Sequence, residues 1–279
     1  MKILLVDQDA LVTQLLRSKL EPVGHQIVEE PVKNNAVEKL ANDNFDIVIM
    51  DPAPLTTPRP LILNMRRSVT NYPYILIASE TISREDAVQA GANDLLKKPM
   101  DPDAVFNSLD NAKRLIKVVK NLSDDSEDFP SAGGVIAKSA FNQLFLSAMD
   151  RADRYGEQTY VLRIALSNHT EIQGTDGVYA AEFAVAKLCQ YLVLLRRQSD
   201  IIGQTGKNEY SLLLQRPAYE TEPVDAANRF AQQLGGYKDI DASGRTPVEI
   251  TVSLLDIPSG EMRIEHVFRP GEVEKAAAQ

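Results

Sequence analysis

Between Lys2 and about Lys120, short apolar runs alternate with segments whose apolar residues recur every three or four positions. KILLV, QIVEE, DIVIM, YILIA and DLLKK read as five strands. LVTQLLRSKL, NAVEKLAND, LILNMRR, REDAVQAG and the long DAVFNSLDNAKRLIKVV read as the helices, because their apolar stripe has the helical period. Right-handed crossovers between such strands give a parallel sheet covered on both faces. SDDSEDFPSAGG, residues 123–134, then breaks the periodicity with acids, Ser, Pro and Gly. The pattern predicts a first domain over 1–120, a linker over 121–134 and a second domain over 135–279.

The second domain has another rhythm. FNQLFLSAMDRADRYG is a predicted helix, YVLRIAL a strand and AAEFAVAKLCQYLVLLRR a helix. A hairpin from IIGQ to YSLLLQ, a helix DAANRFAQQL and a strand VEITVSLLD follow. This βαββαβ order predicts a split, mainly antiparallel sheet backed by helices. No internal repeat or low-complexity tract interrupts it, and the tail VEKAAAQ is expected to fray or form a weak helix.

Composition narrows the function classes. A chain of 279 residues, 44% of them hydrophobic, can bury two cores. A net charge of −9 with scattered cations argues against nucleic acid or an anionic membrane as main partner, since both demand clustered Lys and Arg. The single cysteine, Cys189, cannot form an internal disulfide, which fits a reducing cytoplasm. The apolar stretch in MKILLVDQD is too short for a signal peptide, and no later run is expected to approach a membrane span.

Ligands of an open parallel sheet gather beyond the carboxyl ends of its strands. There the first strand offers Asp7, Gln8 and Asp9, the third Asp51, and the fifth Lys98 followed by Pro99. Clustered carboxylates can hold Mg²⁺ through hard oxygen ligands, and a lysine can balance a phosphoryl group on an aspartate. For each acid taken alone, a simple strand terminator is the favoured reading. Together, ILLVDQD, DIVIMD and AGANDLLKKP resemble the three signatures of the receiver domain of bacterial response regulators. The resemblance implies a flavodoxin-like (βα)5 fold with Asp51 as phosphoacceptor, Lys98 as phosphate partner with a cis bond to Pro99, and Asp7 in the acidic pair. Gln8 stands where that family usually has a metal-ligating carboxylate, so Mg²⁺ affinity is expected to fall unless Asp9 swings in. Ala78 stands at the hydroxyl position, with Ser79 one residue late and on the opposite face. Leu95 replaces the aromatic switch, and Pro52 removes a backbone donor after Asp51. A receiver-shaped docking and dimerisation module is the expectation.

HTEIQGTDGVYAAE, SDIIGQTGKNEYSLLL and TVSLLD resemble the GGDEF domain of diguanylate cyclases, over about residues 133–257. The fold class implied is α/β overall, with a GGDEF-type α+β second domain built on the βαββαβ core. Cyclisation of GTP in that family uses two Mg²⁺ ions held by carboxylates. Here Ala165 stands at the aspartate after the first strand and Asn208 at the acidic third position of the signature turn. A methyl group and a neutral amide do little to offset the desolvation of two dications. Lys207 replaces the second glycine of the turn, and Gln173 and Glu182 stand at the guanine-reading positions, each one methylene longer. The basic helix that follows the last strand in the family is not recognisable here. Glu209 matches the fourth signature position and is expected to be a solvated carboxylate. These substitutions imply a degenerate domain without cyclase activity.

Arg197 and Asp200 form an R-x-x-D, and five residues separate Asp200 from Gly206. This spacing resembles the family's inhibitory site for cyclic di-GMP. A guanidinium can donate to guanine O6 and N7 or fork onto a phosphate, and a carboxylate can accept from guanine N1 and N2. Arg229 falls where the family often supplies a second arginine, so two cations and one acid would converge on an intercalated ligand dimer. The plain alternative is an exposed intrahelical ion pair between Arg197 and Asp200, with Arg229 a solubilising residue. The expected function is a non-catalytic cyclic di-GMP effector in the bacterial cytoplasm. Its expected contacts are signalling or localisation proteins, a second copy of the chain, and a cell pole as one destination. A nucleotide-independent scaffold and a cyclase with unorthodox metal ligands are the alternatives. His25, His169 and His266 lie far apart in the chain with no ligand spacing.

Overall fold

The structure, a computed structural model, describes residues 1–69, 71–129, 133–198, 200–237, 239–240 and 245–271. The chain divides into two compact units. The first comprises Met1–Lys120 together with Met149–Glu157 and Ile257–Glu261; the second comprises Asn121–Ala148, Gln158–Asp256 and the chain from Met262.

In the first unit, strands β1 (Lys2–Val6), β2 (Gln26–Glu29), β3 (Ile47–Met50), β4 (Tyr74–Ser79) and β5 (Asp94–Lys97) form a sheet in the order β2-β1-β3-β4-β5. All four pairings are parallel. The continuous apolar runs are explained by this position: β3 and β4 are buried along their whole length, as strands covered on both faces must be. Between the strands lie α1 (Ala10–Leu20), α2 (Lys33–Asn42), α3 (Arg59–Ser68) and α4 (Arg84–Gln89), and after them α5 (Pro102–Leu122). Asp9 and Ser83 cap α1 and α4 by accepting from the amides of Leu11 and Asp86, which fixes where those helices begin. The five predicted strands and the α/β alternation are all found.

The segments 149–157 and 257–261 are held in this unit by buried polar contacts. Asn93 Nδ2 donates to the Pro258 carbonyl at 2.9 Å, and the Tyr74 hydroxyl to that of Ser259 at 2.6 Å. The Tyr72 hydroxyl donates to Asp153 Oδ1 at 3.1 Å. Burial pushes the Asp153 carboxyl up, with the nearby Arg66 guanidinium working against that rise.

The second unit is built from α6 (Lys138–Tyr155) as far as Ala148, β6 (Thr159–Leu166), α7 (His169–Thr175), α8 (Val178–Leu195), β7 (Ile202–Gly206), β8 (Glu209–Gln215), α9 (Glu222–Gly235), β9 (Ile250–Ile257) as far as Asp256, and β10 (Met262–Phe268). Its sheet has the order β10-β9-β6-β8-β7, with β6/β8, β7/β8 and β9/β10 antiparallel. The βαββαβ expectation is therefore extended by one strand, β10, and by the short helix α7. By length and composition α8 does qualify as a membrane span, contrary to the expectation that no run would. Its Ala181, Ala184, Val185, Leu188 and Leu192 are nevertheless buried in the core of this unit. The tail VEKAAAQ lies outside the described residues.

Candidate functional site

The strand order delivers Asp7, Asp51 and Lys98 to one sheet edge. The Lys98 ammonium donates to Asp7 Oδ2 at 2.8 Å and to Asp51 Oδ2. Burial works against that charge, but the hydrogen bonds it donates to Asp51 and Asp7 outweigh it and hold Lys98 above its ordinary value. The other oxygens are also engaged: Asp7 Oδ1 accepts from the Asp9 amide at 2.8 Å, and Asp51 Oδ1 from the Ala53 amide at 2.7 Å. Asp9 does not swing in, since its Oδ1 accepts from the Leu11 amide at 2.9 Å, and Gln8 is exposed. Two carboxylates share one ammonium and each of their four oxygens already accepts one hydrogen bond, so a dication there would have to share these oxygens with the Lys98 ammonium or displace it. Ser79 points away as its strand position requires, its hydroxyl accepting from the Thr81 and Ile82 amides at 3.2 and 3.3 Å. Ala78 is fully buried and Leu95 half-buried. The Lys98–Pro99 peptide is cis, as expected; Pro52 is buried, and its carbonyl accepts from the Leu55 amide at 2.9 Å.

In the second unit, β7 and β8 are joined through Lys207 and Asn208. Glu209 is not the solvated carboxylate expected: it pairs with Arg163 through Oε2 and accepts from the Thr205 hydroxyl through Oε1 at 2.9 Å. Ala165 lies opposite Glu209 in the strand register. Asn208 turns its amide nitrogen to the Leu166 carbonyl at 2.7 Å. A methyl group, a donating amide and a carboxylate already held by a guanidinium do not fit two dications. Glu182 and Lys207 line a cavity of about 760 Å³ between α8 and the hairpin, with His169 and Tyr210; Gln173 is exposed on α7 and is not part of its lining. Cys189 is half-buried there, its thiol pushed up by burial.

Arg197, Asp200 and Arg229 do converge, on a separate cavity of about 430 Å³. Their local geometry differs from the expectation. α8 ends at Leu195 and Arg196 is already extended, so Arg197 and Asp200 form a turn beyond the helix. In that turn the Asp200 amide donates to the Arg197 carbonyl at 3.0 Å, and the Arg197 amide to Asp200 Oδ2 at 2.8 Å. The intrahelical ion pair is thereby overturned. The Arg197 side chain pairs instead with Glu222 at 3.3 Å, and Asp200 with Arg229 at 3.7 Å.

Three further residues belong to these sites and were not found from sequence. Arg163 shares the face of Ala165 by the two-residue period of β6, a signal that becomes useful once strand register is known. Glu222 opens α9 ahead of Pro223, where an acid is favoured by the helix dipole. Arg216 lines the 430 Å³ cavity with φ +51°, an unusual conformation for a residue preceding proline. The histidines stay apart: His25 lies near the amino terminus, and His266 contacts Asn228 at 2.8 Å.

Residues 3–110 match the family model of the response regulator receiver domain. With the five-stranded parallel sheet and the Asp7, Asp51 and Lys98 pocket, this part of the chain is a receiver domain. In this chain it is joined to a second, α+β domain with a mainly antiparallel sheet. The protein is 29% identical over 106 residues to the transcriptional regulatory protein ResD of Bacillus subtilis (strain 168), covering 37% of this chain and 44% of that one. It is 28% identical over 131 residues to the transcriptional regulatory protein CpxR homolog of Haemophilus influenzae, covering 46% and 54%. The chain spans about half the length of these curated relatives. Among solved structures, the GGDEF domain of TpbB or YfiN from Pseudomonas aeruginosa is similar at 21% identity and a TM-score of 0.35, covering 43% of this chain and 70% of that one.

Proposed function

We propose that the chain is a non-catalytic cyclic di-GMP effector, a receiver domain joined to a degenerate GGDEF domain that binds the dinucleotide and signals through protein contacts. One observation carries this reading: Arg197, Asp200 and Arg229 line a single cavity of about 430 Å³. That volume falls in the range of roughly 300 to 1,000 Å³ usual for small-molecule sites. Guanidinium groups there can donate to guanine or phosphate, and Asp200 can accept from guanine N1 and N2. The absence of catalysis in this reading rests on the hairpin, where Arg163 neutralises Glu209 and neither Ala165 nor Asn208 offers a carboxylate. The ligand alters signalling only to the extent that it binds one arrangement of the protein better than another. Signalling or localisation proteins, a homodimer, and action in the bacterial cytoplasm with recruitment to a cell pole complete the proposal.

A nucleotide-independent scaffold is the second reading. It is favoured by the pairing of both arginines with acids, Arg197 with Glu222 and Arg229 with Asp200. Titration calorimetry with cyclic di-GMP separates the two. The effector binds, and Arg197→Ala loses about tenfold or more in affinity, the worth of a charge-assisted hydrogen bond. A wild-type protein that ignores the dinucleotide is the scaffold, and cyclic product from GTP with Mg²⁺ would make it an enzyme.

A further inference from the structure

The cavity of about 430 Å³ that Arg197 lines carries its own anion. Glu222 is fixed through Oε2, which accepts from the Ala218 amide at 2.6 Å, and its Oε1 stands 3.3 Å from Arg197 Nη1. The Arg197 side chain it engages is 56% exposed, and the Glu222 side chain 27%. Arg216 lines the same wall, so Arg197, Arg216 and Arg229 face Asp200 and Glu222 in one cavity. A carboxylate oxygen held against a guanidinium occupies the position that a phosphate oxygen or a guanine acceptor would take. We propose that Glu222 is a built-in competitor for Arg197, which an anionic, phosphodiester-bearing ligand must displace, and which thereby sets the concentration at which the ligand is sensed.

The inference rests on the nucleotide-binding reading and adds to it a residue that opposes binding. Any ligand that needs the Arg197 fork must first break the pair with Glu222, so its apparent affinity is lowered by the strength of that pair. A half-exposed ion pair is weak, which limits the effect to about two- to fivefold in dissociation constant. Asp200 plays a different part: it accepts the Arg197 amide and shapes the turn, whereas Glu222 meets the guanidinium itself.

Calorimetric titration of the full chain with cyclic di-GMP tests this with Glu222→Gln, Arg197→Ala and the double variant. Glutamine keeps the volume and one acceptor for the Ala218 amide while removing the charge. Glu222→Gln is expected to bind about two- to fivefold more tightly than wild type, with no such gain in the Arg197→Ala background. Glu222→Asp, too short to reach Arg197 from the same backbone, is expected to tighten binding by less and serves if the glutamine variant fails to fold. Unchanged or weaker binding by both Glu222 variants, with Arg197→Ala still losing affinity, overturns the competitor and leaves the nucleotide site standing. A gain that persists without Arg197 reports net charge alone and also overturns it. A complete absence of binding in wild type and in both Glu222 variants removes the competitor and the nucleotide reading together.

Discussion

Arg163 and Glu209 form an ion pair one diagonal step apart on neighbouring strands, in the register that sets Arg163 opposite Ser211 and Ala165 opposite Glu209. Long side chains span that diagonal readily. Both are less than a quarter exposed, at 24% and 20%, and the Thr205 hydroxyl completes the carboxylate's coordination. An internal cation thus stands beside the one acidic position of the hairpin signature, and the carboxylate serves the fold.

The pair should be measurable as a coupling. Arg163→Met leaves Glu209 largely buried with only the threonine hydroxyl, and is expected to lower unfolding free energy by about 1 to 3 kcal/mol. Glu209→Gln, which removes the charge and keeps the shape, is expected to cost less, and the double variant less than the sum of the two. Urea unfolding of the four proteins gives the coupling directly, and strictly additive losses would rule out the interaction.

Lys98 makes a pH-dependent contribution whose sign is fixed by its neighbours. Its value in the folded protein is raised above the ordinary 10.5 because the bonds to Asp51 and Asp7 outweigh burial. A group with a raised value stabilises the fold fully below the unfolded-state value, and that contribution is lost as pH rises through the folded one. Lys98→Met is therefore expected to be less stable at neutral pH, by about 1.5 to 3 kcal/mol for the lost charged hydrogen bonds. The gap from wild type should close only above the ordinary lysine range. Denaturant unfolding from pH 7 upward checks it; a gap that closes by pH 9 contradicts the assignment.

Sequence pattern reached as far as short-range periodicity does. Burial on both faces makes β3 and β4 read as unbroken apolar runs, and the order of the parallel strands then brings Asp7, Asp51 and Lys98 together without further information. β10 was hidden because MRIEHVF mixes Arg263, Glu265 and His266 into a strand at the sheet edge, where the outward face is solvated. The end of α8 was also misplaced. The apolar stripe runs on into two arginines, yet Arg196 turns extended and puts Arg197 and Asp200 in a turn. Contacts such as Arg163 with Glu209 and Arg197 with Glu222 depend on register and on loop closure, neither of which periodicity encodes.

Gly203 is a packing requirement of the hairpin. A Cβ at this position would lie 2.6 Å from the side chain of Phe141, which is fully buried. Gly203→Ala is expected to cost about 1 to 3 kcal/mol by overpacking. Gly206→Ala, whose Cβ would meet the Glu209 side chain at 3.3 Å, is expected to cost less. Thermal unfolding of the two variants ranks them. Equal melting of Gly203→Ala and wild type would refute this packing.

Asp51 has a lysine beside it that can support an acyl phosphate, and the groups around it are expected not to turn phosphorylation into a conformational change. Ala78 presents a methyl group, and the Ser79 hydroxyl is occupied by the Thr81 and Ile82 amides. Gln8 contributes no charge, and Asp9 is committed to capping α1. Acetyl phosphate or beryllofluoride with Mg²⁺ is therefore expected to leave the elution volume and the amide spectrum of the wild-type protein unchanged. Restoring both missing groups, with Gln8→Asp and Ala78→Ser, is expected to create a response that disappears on Asp51→Asn. An Asp51-dependent shift already present in wild type would show that the lysine and the two native carboxylates suffice, and the docking-module account of the first domain would fall with it.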